Sequence, residues 1–204
     1  MTHITGKTIV GVSDYEYIVK KSRFIARAAR ADTPESAILF LENHRLADAN
    51  HNCWAYKIGD NYRFHDDGEP GGSAGKPIFH AIENNDFDRV VLLVARYFGG
   101  IKLGIGGLVR AYGQTATRCL QASKSHFITK YAVIQISISF EYLNTVYTVF
   151  EEFQDIKKPA PEFTEAGVQF LVVIPDTINR LLSDRLVNAT SGSASIKIID
   201  TGYQ

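Results

Sequence analysis

The chain has 204 residues, of which 45% are hydrophobic and 22% charged, and this ordinary composition excludes a disordered or low-complexity protein. Its apolar runs are shorter than the roughly 20 residues of a membrane span, and its first residues lack the basic region and apolar core of a secretory signal. Cys53 and Cys119 stand alone, so they form neither a disulfide framework nor a metal-binding pair. These features predict a cytoplasmic protein without a membrane partner.

The net charge is zero, but charge is unevenly distributed along the chain. Residues 1–130 contain 17 basic and 13 acidic side chains, a net charge of +4, whereas residues 131–204 contain 5 and 9, a net charge of −4. Seven basic residues and no acidic one stand between Asp88 and Glu141. This asymmetry favours an anionic partner for the first part of the chain. The alternative is that these charges only solvate separate faces, since clustering in sequence need not mean clustering in space.

The first part of the chain predicts a mixed succession of strands and helices. Residues 16–29 alternate weakly, as a single strand does, and residues 32–48 have the pattern of a helix capped by Thr33 with Pro34 in its first turn. A hairpin is predicted at residues 51–65, a glycine-rich loop at 66–77 and a short helix at 77–86. They are followed by a buried strand at 89–98, a second glycine-rich loop at 99–107 and a helix at 107–124.

A second succession begins after residue 130. It begins with a strand at residues 131–140 and a helix at 141–153, followed by two strands at 156–163 and 167–174. It ends with a helix at 175–190 and a strand at 193–199. The order βαββαβ is that of the ferredoxin-like arrangement. This restart, together with the change in the sign of the charge, predicts an α+β protein of two domains, residues 1–130 and 131–204.

The stretch ARYFGGIKLGIGGLVRAYG, residues 95–113, places a glycine-rich loop between a buried strand and a helix. Backbone N–H groups and the positive end of the helix dipole can bind a phosphate or carboxylate there, and Arg96 and Lys102 add positive charge. The loop is not a standard nucleotide loop, because Leu108 and Val109 stand where a Walker loop needs Lys and Ser or Thr. The glycines also fit a second interpretation, tight packing of a helix on a sheet. They are Gly99, Gly100, Gly104, Gly106 and Gly107.

The other loop, DDGEPGGSAGKP at residues 66–77, contains Asp66, Asp67, Gly68 and Glu69. Carboxylates in such a loop can bind Mg²⁺ or Ca²⁺, but the spacing is not that of a calcium loop, and Asp-Asp-Gly is also a turn sequence. A loop of this length in a compact domain is usually functional or disordered. We therefore assign these four residues to a functional loop and predict no metal, no cofactor and no catalytic residue.

Three motifs together carry a family resemblance: KSRF at residues 21–24, DDGEPGGSAGKPI at 66–78 and RYFGGIKLGIGGLVRAY at 96–112. They resemble the YigZ/IMPACT family. The resemblance implies a first domain with the fold of the second domain of ribosomal protein S5, and a ferredoxin-like second domain similar to domains of elongation factor G. It also implies a link to translation, because eukaryotic members are associated with control of translation initiation, whereas bacterial-type members have no settled activity.

The charge asymmetry and the resemblance lead to a first hypothesis, a non-enzymatic protein that binds RNA or the ribosome and affects the regulation of translation. Here Arg96, Lys102 and Arg110 contact phosphates, with Arg23 and Lys76 as further candidates, and the glycine loop lets the backbone approach the nucleic acid.

A second hypothesis is a module that binds a small molecule or phosphate ligand, with possible metal-assisted hydrolase activity. It requires the carboxylates of the 66–69 loop to converge with Arg96 and Lys102 in one concave pocket. A third is a protein-interaction module whose acidic C-terminal domain docks a basic partner.

Overall fold

A computed structural model describes residues 4–153, 156 and 159–203 of the chain. It divides into an N-terminal unit, Gly6–Phe127, and a C-terminal unit, Ile128–Gln204 together with the first five residues. Both units combine helices with antiparallel strands, which confirms the predicted α+β class. No helix in the described part of the chain is both long and apolar enough to cross a membrane.

The N-terminal unit is built on a five-stranded antiparallel sheet. The first strand of the chain, β1 (Ile4–Ile9), is not part of this sheet. The sheet consists of β2 (Val12–Val19), β3 (Ser22–Arg30), β4 (His51–Ile58), β5 (Asn61–His65) and β6 (Val90–Tyr97). They pair in the order β2-β3-β6-β4-β5. The helices are α1 (Pro34–His44), α2 (Gly75–Asn84) and α3 (Ile105–Ala122).

The central strand β6 is buried on both faces, which explains its continuous apolar sequence. Val90, Leu92 and Val94 belong to the core beneath α2 and α3, whereas Val91 and Leu93 belong to a second core beneath α1. Burying each such side chain stabilises the fold by roughly 1.5–3 kcal/mol. The sheet therefore lies between two helical layers, and β6 holds a fixed position from which the glycine loop departs.

The segment predicted as one strand over residues 16–29 forms two strands, so that prediction was wrong. Lys20 and Lys21 both adopt positive φ, 44° and 64°, and reverse the chain between β2 and β3. Such a two-residue turn matches the twist of a hairpin. Lysine pairs are not typical of this turn, so the sequence pattern gave no signal of it.

The C-terminal unit has the predicted element order βαββαβ. Its elements are β7 (Ser125–Ile138), α4 (Leu143–Glu151), β8 (Glu162–Thr164), β9 (Gly167–Pro175), α5 (Asp176–Ala189) and β10 (Ser195–Tyr203), with a short 3₁₀ turn at Phe140–Tyr142. The strands pair in the order β10-β7-β9-β8, and β1 also pairs with β7. The strand predicted over residues 156–163 appears as the short β8, and residues 157 and 158 lie outside the described residues.

Candidate functional site

The glycine loop leaves the end of β6 and leads directly into α3. At Gly99 an added Cβ would overlap the backbone of Lys21, and the Gly99 N–H donates to Ser22 Oγ at 3.2 Å. Glycine is therefore required here because the loop lies flat against the turn between β2 and β3. The contact at Gly99 therefore supports the interpretation of the glycines as residues that allow tight packing.

The start of α3 has no side-chain cap. Gly104 is the N-cap residue with φ 72°, and no side chain accepts a hydrogen bond from the first turn. The first backbone bond of the helix runs from the Leu108 N–H to the Gly104 carbonyl oxygen at 2.9 Å. The N–H groups of residues 105–107 therefore lack helical partners and, with the helix dipole, give this end a positive potential.

A cleft of about 440 Å³ lies beside this helix start, and we call it the α3 cleft. Its polar lining consists of Asn50, His51, Glu69, Arg96 and Lys102. Its apolar lining consists of Pro70, Phe98, Leu103, Ile105 and Leu108, with the backbone of Gly104. The cleft therefore brings the two predicted loops together, one through Glu69 and the other through Lys102 and Gly104.

A buried ion pair forms one side of the α3 cleft. Arg96 Nη1 lies 2.6 Å from Glu69 Oε1, and the two side chains are only 7% and 3% exposed. The same carboxylate oxygen accepts a hydrogen bond from the Tyr112 hydroxyl at 2.7 Å. His51 Nε2 lies 3.9 Å from it. A buried charge pair of this kind is tolerated because each member compensates the desolvation of the other.

Two further groups extend this network into the core. The Cys53 thiol lies 3.4 Å from the Tyr112 hydroxyl and 3.0 Å from the Asp66 carbonyl oxygen. Burial raises the pKa of Cys53 to about 12, and burial likewise raises the pKa of Tyr112 well above its usual range. Both groups are therefore neutral at physiological pH and act as hydrogen-bonding partners, not as nucleophiles.

One donor atom of Arg96 is both buried and unused. Its Nε atom is buried and has no hydrogen-bond partner among the described residues. The guanidinium carbon lies 5.6 Å from the ring centroid of Phe24 and 5.5 Å from that of Phe98. A buried charged donor without an acceptor is costly, so this atom distinguishes the α3 cleft from an ordinary packed surface.

Asp66 in the functional loop caps a helix. Its Oδ1 accepts hydrogen bonds from the N–H groups of Ala74 and Gly75 at 3.0 and 2.8 Å, and its Oδ2 accepts one from Gly72 at 2.8 Å. The carboxylate therefore provides acceptors for the free N–H groups at the start of α2, although Asp66 lies several residues before the helix. It does not line the α3 cleft.

Asp67 fastens the same loop to β4. Its Oδ2 accepts the Asn52 N–H at 2.6 Å, and its carbonyl oxygen lies 2.8 Å from His51 Nδ1. Asp67 and Gly68 have φ of 43° and 86°, which directs Glu69 inward beneath the turn. Of the loop's three carboxylates, only that of Glu69 reaches the α3 cleft. In the described part of the chain, no group of three or more His, Cys, Asp or Glu side chains could hold a metal ion.

The remaining predicted cations lie at three other places. Arg110 lines a smaller pocket that shares Leu103 with the α3 cleft, together with Lys20 and Gly107. Lys76 lines a separate groove between α2 and α3. Arg23 stacks on the ring of Tyr97 at 4.6 Å. Gly100 and Gly106 are exposed, one within the loop and one in the first turn of α3.

The sequence analysis missed three contributors to the site. It assigned no role to His51 or Tyr112, and it placed Phe98 only at the end of the strand predicted at 89–98. Tyr112 lies within the helix predicted at 107–124 and is 0% exposed. Its hydroxyl partner Glu69 stands 43 residues away in an irregular loop, so no local pattern indicates their contact.

Comparisons with known proteins identify the family. Residues 20–120 match the Impact N-terminal domain. The chain is 42% identical over 158 residues to "IMPACT family member in pol 5'region" of Thermus thermophilus, covering 78% of this chain and 87% of that protein. It is 31% identical over 195 residues to "IMPACT family member YvyE" of Bacillus subtilis, covering 93% and 89%.

A solved structure described as "Crystal structure of an hypothetical protein" is also similar over nearly the whole chain. It matches with a TM-score of 0.64 and 29% identity, over 97% of this chain and 98% of that one. The two long relatives and this structure extend the similarity across both units of the chain. Together with the match of residues 20–120 to the Impact N-terminal domain, they show that this chain belongs to the IMPACT family.

Proposed function

We propose that this protein is a cytoplasmic RNA-binding protein that affects translation, and that it binds RNA through cations around the start of α3. The exposed side chains of Lys20, Lys102 and Arg110, which we call the basic rim, flank the uncapped N-terminus of that helix. This convergence of exposed cations on a free helix end carries the proposal. Among the described residues that line either pocket, Glu69 is the one acidic residue, and it is paired with Arg96.

The chemistry of the rim suits the phosphates of a nucleic acid. Lysine and arginine bind phosphates with the release of counterions, and the free N–H groups of a helix start add directed donors. The expected link of the family to translation supports RNA or the ribosome as the source of those phosphates. Arg96 has a different role in this proposal, because its charge is already paired with Glu69 beneath the surface.

The test is binding of the full chain to ribosomal subunits and to a structured RNA across a salt series. Wild-type affinity should fall steeply with salt, and Lys102→Ala combined with Arg110→Ala should reduce the slope of log K against log salt by about 2. The matched control is Arg63→Ala with Lys124→Ala. It removes the same charge from exposed positions on β5 and beyond the end of α3, and it should leave affinity nearly unchanged.

Two outcomes would overturn the proposal. The first is the absence of RNA binding at low salt. The second is an equal loss of affinity in the control variant, which would mean that overall charge and not the basic rim determines binding.

The metal-assisted hydrolase and the protein-interaction module have less support. A metal-assisted hydrolase needs several carboxylates in one pocket, and Asp66 and Asp67 are bonded to backbone N–H groups elsewhere. A partner for the acidic C-terminal unit stays a prediction. Two of that unit's acidic side chains, Glu152 and Asp176, already pair with Arg185 and Lys130.

A further inference from the structure

The α3 cleft contains more than a phosphate site needs. A phosphate requires charge and donors, which the basic rim and the helix start supply. The cleft adds a volume of about 440 Å³, within the range of small-ligand sites, and five apolar residues along its walls. Its occupant should therefore have a body with apolar faces in addition to its charge.

Two exposed apolar side chains stand at the walls of the cleft. Phe98 is 46% exposed and Ile105 is 65% exposed, although both line a concave surface. An exposed aromatic ring in such a place is typical of a stacking platform for a flat group. The guanidinium of Arg96 lies 5.5 Å from the Phe98 ring centroid, so a planar polar group already neighbours that ring.

The unused donor of Arg96 indicates that the flat group should carry a hydrogen-bond acceptor on its edge. Arg96 is 6% exposed and lines the cleft, and its Nε has no partner within the described residues. Its Nη1 is committed to Glu69. A ligand that presents a carbonyl oxygen or a ring nitrogen would satisfy this donor and remove its desolvation penalty.

We propose that the α3 cleft binds a single nucleotide. The base packs against Phe98 and accepts a hydrogen bond from Arg96 Nε, while the phosphate lies at the start of α3 beside Lys102. This inference rests on the proposed function for its natural source, an unpaired nucleotide of RNA. A free nucleoside monophosphate has the same chemistry, so the experiment separates the two sources.

The experiment measures binding of the full chain to three probes: a single-stranded oligouridylate of about ten nucleotides, an RNA duplex of the same length, and uridine 5′-monophosphate. The single strand should bind more tightly than the duplex, because only an unpaired base can enter the cleft. Phe98→Ala should weaken single-strand binding roughly 5- to 100-fold, as the loss of a stacking partner does. Phe98→Tyr keeps a ring and should bind like the wild type.

The control variant is Phe127→Ala, which removes another exposed phenylalanine, 62% accessible, beyond the end of α3. It should leave binding within about twofold, as expected for a surface substitution. The Arg96 Nε–H resonance gives a direct readout, since it should shift downfield when the oligouridylate binds. Phe98→Ala should leave the salt dependence unchanged, whereas loss of the basic rim should reduce it.

The outcomes separate the two proposals. If Phe98→Ala binds RNA like the wild type, or if the duplex binds as tightly as the single strand, the nucleotide site is overturned and RNA binding through the basic rim stands. If no RNA binds but the monophosphate binds in a Phe98-dependent way, the site stands with a free nucleotide as its ligand. If neither binds, both proposals are wrong.

Discussion

The two units of the chain use buried polar groups in opposite ways. Among the described residues, eight of the nine buried polar side chains lie in the N-terminal unit, and only Thr190 lies in the C-terminal unit. Thr190 is fully accounted for by the fold, because it donates to the Leu186 carbonyl oxygen and accepts from the Ala194 N–H. The buried polar side chain of the C-terminal unit thus terminates a helix, whereas those of the N-terminal unit include the charged network at the α3 cleft.

The N-terminal unit contains the same contrast on a smaller scale, between two buried carboxylates. Asp88 accepts the N–H groups of Gly59 and Arg89 at 2.7 and 2.6 Å, which stabilises a turn. Glu69 instead faces a buried guanidinium that still has an unused donor. The difference indicates that the first carboxylate completes the fold, whereas the second maintains a site.

The largest expected effect breaks the Glu69–Arg96 pair. Glu69→Ala should lower the free energy of unfolding by about 3–5 kcal/mol, because it leaves a charge buried without a partner. Denaturant unfolding monitored through Trp54, the single tryptophan, measures this in the N-terminal unit. Glu162→Ala on the exposed β8 is the control and should change stability by less than about 0.5 kcal/mol. A loss below about 1 kcal/mol at Glu69 would mean that the pair is not desolvated.

The second effect concerns Asp66, which bonds three backbone N–H groups at the start of α2. Asp66→Ala should cost about 2–3 kcal/mol, since it removes a cap and leaves orphan donors. Amide hydrogen exchange at residues 72–75 should accelerate selectively. Asp66→Asn keeps one acceptor oxygen and should lose less. Unchanged exchange at these amides would show that the carboxylate does not cap the helix.

A smaller effect is expected at Gly99, where an added methyl group would overlap the Lys21 backbone. Gly99→Ala should destabilise the unit by about 1–2 kcal/mol and weaken RNA binding, because the loop that carries Lys102 must shift. The control is Gly71→Ala, where a Cβ meets no atom within 4 Å. Equal effects of the two substitutions would contradict the close approach at Gly99.

The elements of the fold followed from local patterns more readily than the site did. The run of five branched apolar residues at 90–94 predicted a buried strand, and the pattern of residues 107–124 predicted a helix, which the structure has as β6 and α3. Both patterns reflect burial that repeats with the geometry of the element. The Lys20–Lys21 turn was missed because its backbone conformation is not one that lysine typically marks.

The site depends on contacts that no local pattern records. The glycine loop and the carboxylate loop were each identified, yet the pairing of Arg96 with Glu69 joins residues 27 positions apart through a sheet and an irregular loop. Charged residues are rarely buried unless paired, so an arginine at the end of a strand is expected to be exposed until its partner is known. Arg96 was predicted to contact phosphates, whereas in the structure its side chain is buried and forms one side of the α3 cleft.

The last expected effect is a dependence of stability on alkaline pH that belongs to the N-terminal unit. Burial raises the pKa of Cys53 to about 12 and that of Cys119 to about 11. Between about pH 9 and 10 the unfolded chain loses thiol protons that the folded protein keeps, so the free energy of unfolding falls as pH rises. Below about pH 8 both states are protonated and this contribution is constant.

Unfolding midpoints at pH 8 and pH 10 measure the alkaline effect. Cys53→Ala combined with Cys119→Ala should reduce the difference between the two midpoints, even if it lowers both. An undiminished difference in the double variant would assign the dependence to other groups. Reaction of both thiols with an alkylating reagent at pH 8 without prior unfolding would contradict their burial, and with it the thiol end of the network that reaches from the core through Tyr112 to Glu69.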